Sequence, residues 1–420
     1  MSQVHVIGAG LAGLSAGLAV QQAGRSVAIY ESGSVAGGRC RSYFDRELGL
    51  RVDNGNHLLL SGNRSTFAYV KTIGAEDRFG GPQQPVFPFI DLKTGDRWTV
   101  RPNLGRVPWW IFAAGRRVPD TRLSDYIGLM RLAQVTDDRV VADAMRRGRL
   151  YWRLVEPFAI AALNTRPQQG LARLLGAVIR ETLARGGSAC LPRFPREGLS
   201  EALIDPALAH LRERDASIHF NRRVTGLRID GGRVVAMQTS EGPIDIAADD
   251  AVVLAVPPWA AVDLLPQLVA PTEFEGIVNV HFRHEPGADN PAAEAGFVGI
   301  LEGVAEWVFV KAGHVSVTIS AANAMLDDPA RQLATAVWPN VCAALSIPYV
   351  ANEALPPFRV VKERRATFAA TAAQEVRRPP ARTPLPNLVL AGDWTATGLP
   401  ATIEGAIRSG RTAADALLGR

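Results

Sequence analysis

Residues 4–31, VHVIGAGLAGLSAGLAVQQAGRSVAIYE, constrain the fold more than any other stretch. Val4, Val6 and Ile7 read as a short buried strand, with His5 packed between the valines. Gly8, Gly10 and Gly13 follow in GxGxxG spacing, and a helical pattern runs from about Leu11 to Ala23 before stopping near Gly24. A second apolar strand, SVAIYE, ends in Glu31. Strand, glycine turn, helix, strand and terminal acid together predict a βαβ unit that binds a dinucleotide. Gly8 allows the tight turn, Gly10 lets backbone approach a pyrophosphate, and Gly13 lets helix and strand close up. The helix start offers free N–H groups to phosphate, and Glu31 is expected on a ribose. The fold class that follows is α/β, Rossmann-like.

A second glycine turn narrows the ligand. SGSVAGGRCRSY places Gly37, Gly38 and Arg39 just past the second strand, bringing more N–H groups and a cation to the same pyrophosphate. FAD enzymes of the glutathione-reductase and amine-oxidase type use such a loop. Near the C-terminus an apolar run leads into GDWTATGLPATIEGAIRSG. Gly392 and Asp393 sit at a predicted strand end, where the carboxylate would accept from a ribityl hydroxyl. A helix starting near Ala401 or Thr402 would turn the N–H groups around Thr402 and Ile403 toward the flavin pyrimidine ring. No cysteine lies near this motif, so the FAD is expected to be non-covalent.

A chain of 420 residues suggests about two domains. We expect a discontinuous FAD-binding domain from residues 1–75, 190–265 and 385–420, and a substrate-binding domain of α+β type inserted as 76–189 and 266–384. The middle FAD piece alternates apolar and polar residues around GG and EGP turns, a β-meander pattern, and 121–185 has helical spacing. RRPPARTPLPN reads as a proline-rich connector. Cys40, Cys190 and Cys342 are too few and too scattered for a disulfide framework or a cysteine metal site, which suits a reducing cytoplasm. Only four of the 46 basic residues are lysine, a skew attributable to codon bias. No basic run is interleaved with aromatics, which argues against nucleic-acid binding. The N-terminus lacks a basic signal-peptide start, and the most apolar window is broken by Pro257, Pro258 and Asp263 too soon to span a bilayer as one helix.

With GxGxxG, GGR, VDNGNH and the terminal GDW motif in hand, the sequence resembles the FAD-dependent amine oxidase and carotenoid desaturase superfamily. VDNGNHLLL, EPFAIAALNTRP, LPRFPREGLSEAL, IVNVHF and AGDWTATGLPATIEGAIRSG further resemble the hydroxysqualene dehydroxylases, also described as squalene-associated FAD-dependent desaturases. The similarity runs over most of the chain and is weakest at about 76–150 and 285–375. The resemblance implies a two-domain FAD enzyme that reductively removes the allylic hydroxyl of hydroxysqualene, with hydride from flavin N5 captured by an allylic cation. It also implies that backbone near Val224 contacts the adenine. Two positions depart from the amine oxidases: Asn279 stands where they carry a lysine near the flavin, and Thr402 where they carry a cage tyrosine. An isoprenoid needs no aromatic cage for a cationic amine. Alternatives on the same scaffold are an oxidative isoprenoid desaturase and a non-catalytic prenyl-lipid carrier. No second GxGxxG identifies the electron donor.

The chemistry asks for a few polar groups on mostly apolar walls. VDNGNHLLL supplies the first set: Gly55 would let the chain pass close to the flavin with Leu58 alongside, and His57 would donate to the leaving hydroxyl because imidazole titrates near neutrality. His57 could instead only bond backbone around the cofactor, and Asp53 could equally fix a loop. Asn164 and Thr165, in ALNTRP, could bind the hydroxyl or cap a helix. LGRVPWWIFAAGRR places Trp109 and Trp110 among arginines, either as a peripheral membrane patch at the inner face of the cytoplasmic membrane or as a buried pair.

Overall fold

The computed structural model describes residues 2–351 and 353–419. Its first sheet has five parallel strands in the order Ser217–His219, Ser26–Tyr30, Gln3–Ile7, Ala251–Leu254 and Leu388–Leu390. The central strands are short runs of Val, Ile and Leu because both faces are covered, which removes the usual in–out alternation. His5 is buried in this sheet, with Nδ1 3.1 Å from the Tyr30 hydroxyl and Nε2 3.6 Å from Asp250, so it is a packed strand residue.

The opening helix, Leu11–Gln22, crosses the closing helix, Ile403–Leu417. Gly410 permits the crossing: a Cβ there would lie 2.1 Å from Ala12 O. The Ser15 hydroxyl donates to Ile407 O at 2.8 Å across the same contact. The two ends of the chain are thereby fixed side by side. The expected meander is present as Val224–Asp230, Arg233–Thr239 and Gly242–Asp245, antiparallel, with Val234 and Met237 packed among Ile7 and Leu254.

A second, seven-stranded sheet runs in the order Phe358–Phe368, Phe274–Phe282, His314–Ile319, Trp307–Lys311, Phe297–Leu301, Phe87–Asp91 and Arg97–Val100. Its two faces differ, because side chains alternate along each strand. Val278, Val280, Phe282, Val308, Val315 and Val317 pack with the helix Ala330–Leu345. The opposite face changes along its width. Asn279, His281, Ser316 and Thr318 are in register on neighbouring strands at one end. Phe297, Phe309, Trp307, Phe89 and Trp98 follow toward the other. Those rings pack against a helical layer that includes Leu123–Leu132, Glu156–Leu163 and Ala172–Glu181.

Candidate active site

The two glycine turns meet. Gly37 N donates to Ala9 O at 2.9 Å, and Gly10 and Gly37 form a parallel bridge. Gly8 has φ +105°, which only glycine adopts readily. A Cβ on Gly13 would lie 1.9 Å from Gly8 O, so only glycine lets the helix pack this close to the turn. A Cβ on Gly10 would meet nothing within 4 Å, and Gly38 stands exposed beside it. Two bare backbone turns and an uncapped helix start therefore face one open cradle, which fits a pyrophosphate. Glu31 is held at its rim, accepting from Ala9 N at 2.9 Å and Gly33 N at 2.8 Å. Arg222 N donates to Glu31 O at 2.8 Å, which brings Val224 to the same edge.

Asp393 reaches this cradle from the other end of the chain. Its Oδ1 accepts from Arg39 Nη2 at 2.7 Å, and Arg39 Nη1 donates to Ala366 O at 2.5 Å. The two groups expected to grip separate parts of a cofactor grip each other here, as opposite charges facing one cleft do. Gly392 N is tied to Ser409 Oγ of the closing helix at 2.8 Å. Thr402 caps that helix, its Oγ1 accepting from Gly405 N at 3.0 Å, with Ile403 buried behind it.

The VDNGNH loop lies between the cradle and the polar end of the seven-stranded sheet. Asn54 Nδ2 lies 3.4 Å from Arg39 O, and a Cβ on Gly55 would come 3.4 Å from Asn279 Nδ2 and 3.8 Å from His57 Nε2. Asn56 Nδ2 donates to Ser316 at 2.7 Å and Thr318 at 3.0 Å, while its carbonyl oxygen is buried with no partner among the described residues. Leu58 packs into the aromatic cluster. The His57 ring is half-buried but enclosed by protein. Burial pulls its imidazole down to about 4; Asp53 opposes this, and Lys311 and Arg39 assist it. The expectation of a group titrating near neutrality is therefore corrected: His57 is neutral at pH 7, because desolvation disfavours the imidazolium.

Asp53 is fully engaged. Oδ1 accepts from Ser42 Oγ at 2.6 Å and Leu199 N at 2.9 Å, and Oδ2 from Lys311 Nζ at 2.7 Å. Burial alone would raise its carboxyl, but Lys311 and the two hydrogen-bond donors outweigh it and hold it below the ordinary range. Asn164 ends the helix Glu156–Leu163 at φ 48°. Its Nδ2 reaches Glu275 O at 3.2 Å and Thr367 Oγ1 at 3.0 Å, and its Oδ1 accepts from Ala321 N at 2.7 Å. Thr165 Oγ1 donates to Leu163 O at 3.2 Å and accepts from Ala370 N at 2.9 Å. Asn164 joins the helix end to the strand whose Ala366 carbonyl receives Arg39, Thr165 joins it to Ala370 just past that strand, and both are buried.

Three residues escaped the sequence reading. Lys311 links the loop to the sheet, and its signal was being one of four lysines in an arginine-rich chain. Arg378 sits inside the stretch read as a connector, yet its side chain is fully buried. It donates to Asp393 O at 3.1 Å and Thr395 O at 2.5 Å, knotting the closing loop, and pairs with Glu375 at 2.7 Å. Glu306 accepts from Ser320 N at 2.8 Å beside the Ala321–Asn164 contact, and burial pushes its carboxyl up to about 7.

The fold and the paired glycine turns define a flavoprotein of the amine-oxidase type. The family model of the flavin containing amine oxidoreductases matches residues 11–418. The solved structure of cyclohexylamine oxidase from Brevibacterium oxydans shares the fold at TM-score 0.68, with 17% identity over 100% of both chains. The chain is 48% identical over 417 residues to hydroxysqualene dehydroxylase of Rhodopseudomonas palustris, covering 99% of this chain and 98% of that one. It is 42% identical over 419 residues to hydroxysqualene dehydroxylase of Zymomonas mobilis, covering 100% and 99%. Within the flavin-containing amine oxidoreductases, then, the chain belongs to the hydroxysqualene dehydroxylase family, and its cofactor is FAD.

Proposed function

We propose that this protein converts hydroxysqualene to squalene by reductive loss of the allylic hydroxyl. The activity named for its relatives supports this reading. The observation that carries it is one wall of the site: Asn56 of the loop bonds Thr318, Thr318 bonds Asn279 on the seven-stranded sheet, and the same sheet face is aromatic beyond Trp307. A polyene alcohol has the same division: one hydroxyl and a long hydrocarbon. The unpartnered Asn56 carbonyl oxygen suits the substrate O–H, since a buried acceptor left alone is costly.

Gly8, Gly10, Gly13 and Gly38 would hold the FAD pyrophosphate, Glu31 a ribose, backbone at Val224 the adenine, and Asp393 the ribityl chain. Gly392, Thr402 and Ile403 would frame the flavin's pyrimidine side, with Gly55 passing close to the ring. When bound in its reduced form, FAD supplies the hydride that replaces the hydroxyl. His57, neutral at pH 7, donates an N–H hydrogen bond that orients the leaving oxygen. The hydroxyl departs as water, taking up one proton as it leaves. Asp53 fixes the loop that carries His57, and Asn164 and Thr165 fix the opposite wall. Leu58 and the aromatic face keep out water that would recapture an allylic cation, and ring faces favour such a cation. The substrate's hydrocarbon partitions into bilayers, so the reading includes peripheral contact with a membrane.

Anaerobic mixing of the reduced holoenzyme with hydroxysqualene tests the proposal. Flavin reoxidation with squalene as product is expected. Oxidised enzyme that is instead reduced by squalene would identify a desaturase. His57→Ala is expected to keep its flavin and lose about 100-fold in turnover; near-normal turnover would take His57 out of the mechanism.

A further inference from the structure

Among the described residues, fifteen large hydrophobic side chains are exposed, and seven of them lie between Leu104 and Met130. They occupy two elements that pack directly on each other. The first is the turn Trp109–Phe112 with the loop before it. Trp110 points inward and meets Tyr126 edge-on, with ring centroids 5.4 Å apart. Val107, Trp109 and Phe112 point outward at 74%, 51% and 68% exposure. The second element is the helix Leu123–Leu132. Tyr126, Leu129 and Leu132 form its buried stripe, and Leu123, Ile127 and Met130 form a second apolar stripe left in the open. A helix apolar on both sides needs a second apolar environment.

The charge on this surface says which one. Residues 104–131 hold five arginines and two aspartates, a surplus of three in a chain whose net charge is +5. Arg106, Arg122 and Arg131 are exposed. Arg116 lies over the Trp109 ring at 4.9 Å, leaving the indole flanked by cationic groups. A groove of about 520 Å³ opens beside it, lined by Leu104, Arg106, Val107, Trp109 and Arg116. Aromatic and aliphatic tips beside unneutralised arginines are what an anionic lipid surface accepts: tips among the acyl chains, guanidinium groups at the phosphates. No helix among the described residues is long and apolar enough to cross a membrane, so contact through this face is interfacial.

We propose that this two-element face docks the protein on anionic lipid bilayers. The inference rests on the isoprenoid substrate proposed above. Flotation with vesicles of phosphatidylcholine alone and with added phosphatidylglycerol tests it on the holoenzyme. Wild type is expected to float with the anionic vesicles and not with the neutral ones. Arg106→Gln with Arg122→Gln is expected to lower the partition coefficient about 30-fold. Phe112→Glu with Ile127→Glu is expected to abolish flotation, with the thermal melt unchanged because both sites are exposed. Wild type remaining in the soluble fraction, equal binding to both vesicle types, or flotation of the glutamate variant would each overturn the proposal. Flavin reoxidation by hydroxysqualene in detergent micelles reads the catalytic proposal separately. It is expected to be the same in all variants.

Discussion

At the nucleotide end of the cleft, the shaping contacts come from backbone within residues 8–38, closed by one salt bridge from Arg39 to Asp393. At the substrate end they come from side chains on strands separated by up to hundreds of residues, as in Asn56 with Thr318 or Lys311 with Asp53. At Gly8, Gly13 and Gly37 these backbone contacts leave no room for an added atom. Side-chain contacts of the second kind are shared, so single losses are cushioned by neighbours. The two ends should therefore fail differently under mutation.

The largest effect is expected at the first. In Gly13→Val the new Cβ would meet Gly8 O at 1.9 Å, and that backbone cannot retreat without dismantling the turn. Overpacking of this kind costs about 3 kcal/mol or more. Purified Gly13→Val should be colourless, fail to take up FAD, and melt well below wild type. A yellow, stable variant would break the contrast, because it would show the backbone turn to be compliant.

The next effect tests the joint between the ends. Asp53→Ala leaves Lys311 without its partner in a largely buried position, which costs about 3 kcal/mol. Replacing both, as Asp53→Leu with Lys311→Met, should cost less than Asp53→Ala alone, since no charge is then stranded. The pH dependence has a definite sign. The folded carboxyl of Asp53 is held below its unfolded value, so the pair's stabilisation is present above about pH 4 and is lost as pH falls through the lower folded value. Urea melts from pH 3 to 7 should show this acid limb in wild type and a shallower one in the double variant. Equal cost for single and double replacement would mean that Asp53 acts through Ser42 and Leu199 alone.

The same contrast governs what could be read from the sequence. The GxGxxG turn, the acid at Glu31 and the closing GDW motif declare themselves because each is a local backbone requirement with a fixed spacing. The substrate end does not. His57 was expected near neutrality because its burial depends on a fold the local sequence does not contain. Asp53, Asn164 and Thr165 could be placed near the site, but whether their polar atoms were free depended on Lys311, Ala321 and Thr367, far away in the chain. Arg378 looked like part of a linker because arginine beside proline usually is; only the fold puts its guanidinium under the Asp393 and Thr395 carbonyls. The paired tryptophans were ambiguous for a simpler reason. In a tight turn adjacent residues face opposite ways, so Trp110 is buried and Trp109 exposed, and the two are not a buried pair.

The smallest effect sharpens the comparison most. Thr402 stands where an amine oxidase has a large aromatic side chain facing its substrate, so a direct role for its hydroxyl is a natural guess. The structure spends that hydroxyl on Gly405 N, as a helix cap. Loss of such a cap costs about 1 kcal/mol. If the closing helix serves the cofactor through its first N–H groups, Thr402→Ala should lower the melting temperature slightly and weaken FAD only a few-fold, by fraying the first turn. Thr402→Ser, which keeps the cap, should restore both. A loss of 100-fold or more in FAD affinity in Thr402→Ala, with the melt of the apoprotein unchanged, would instead mean that the side chain touches the cofactor. The nucleotide end would then depend on side-chain chemistry as much as the substrate end does.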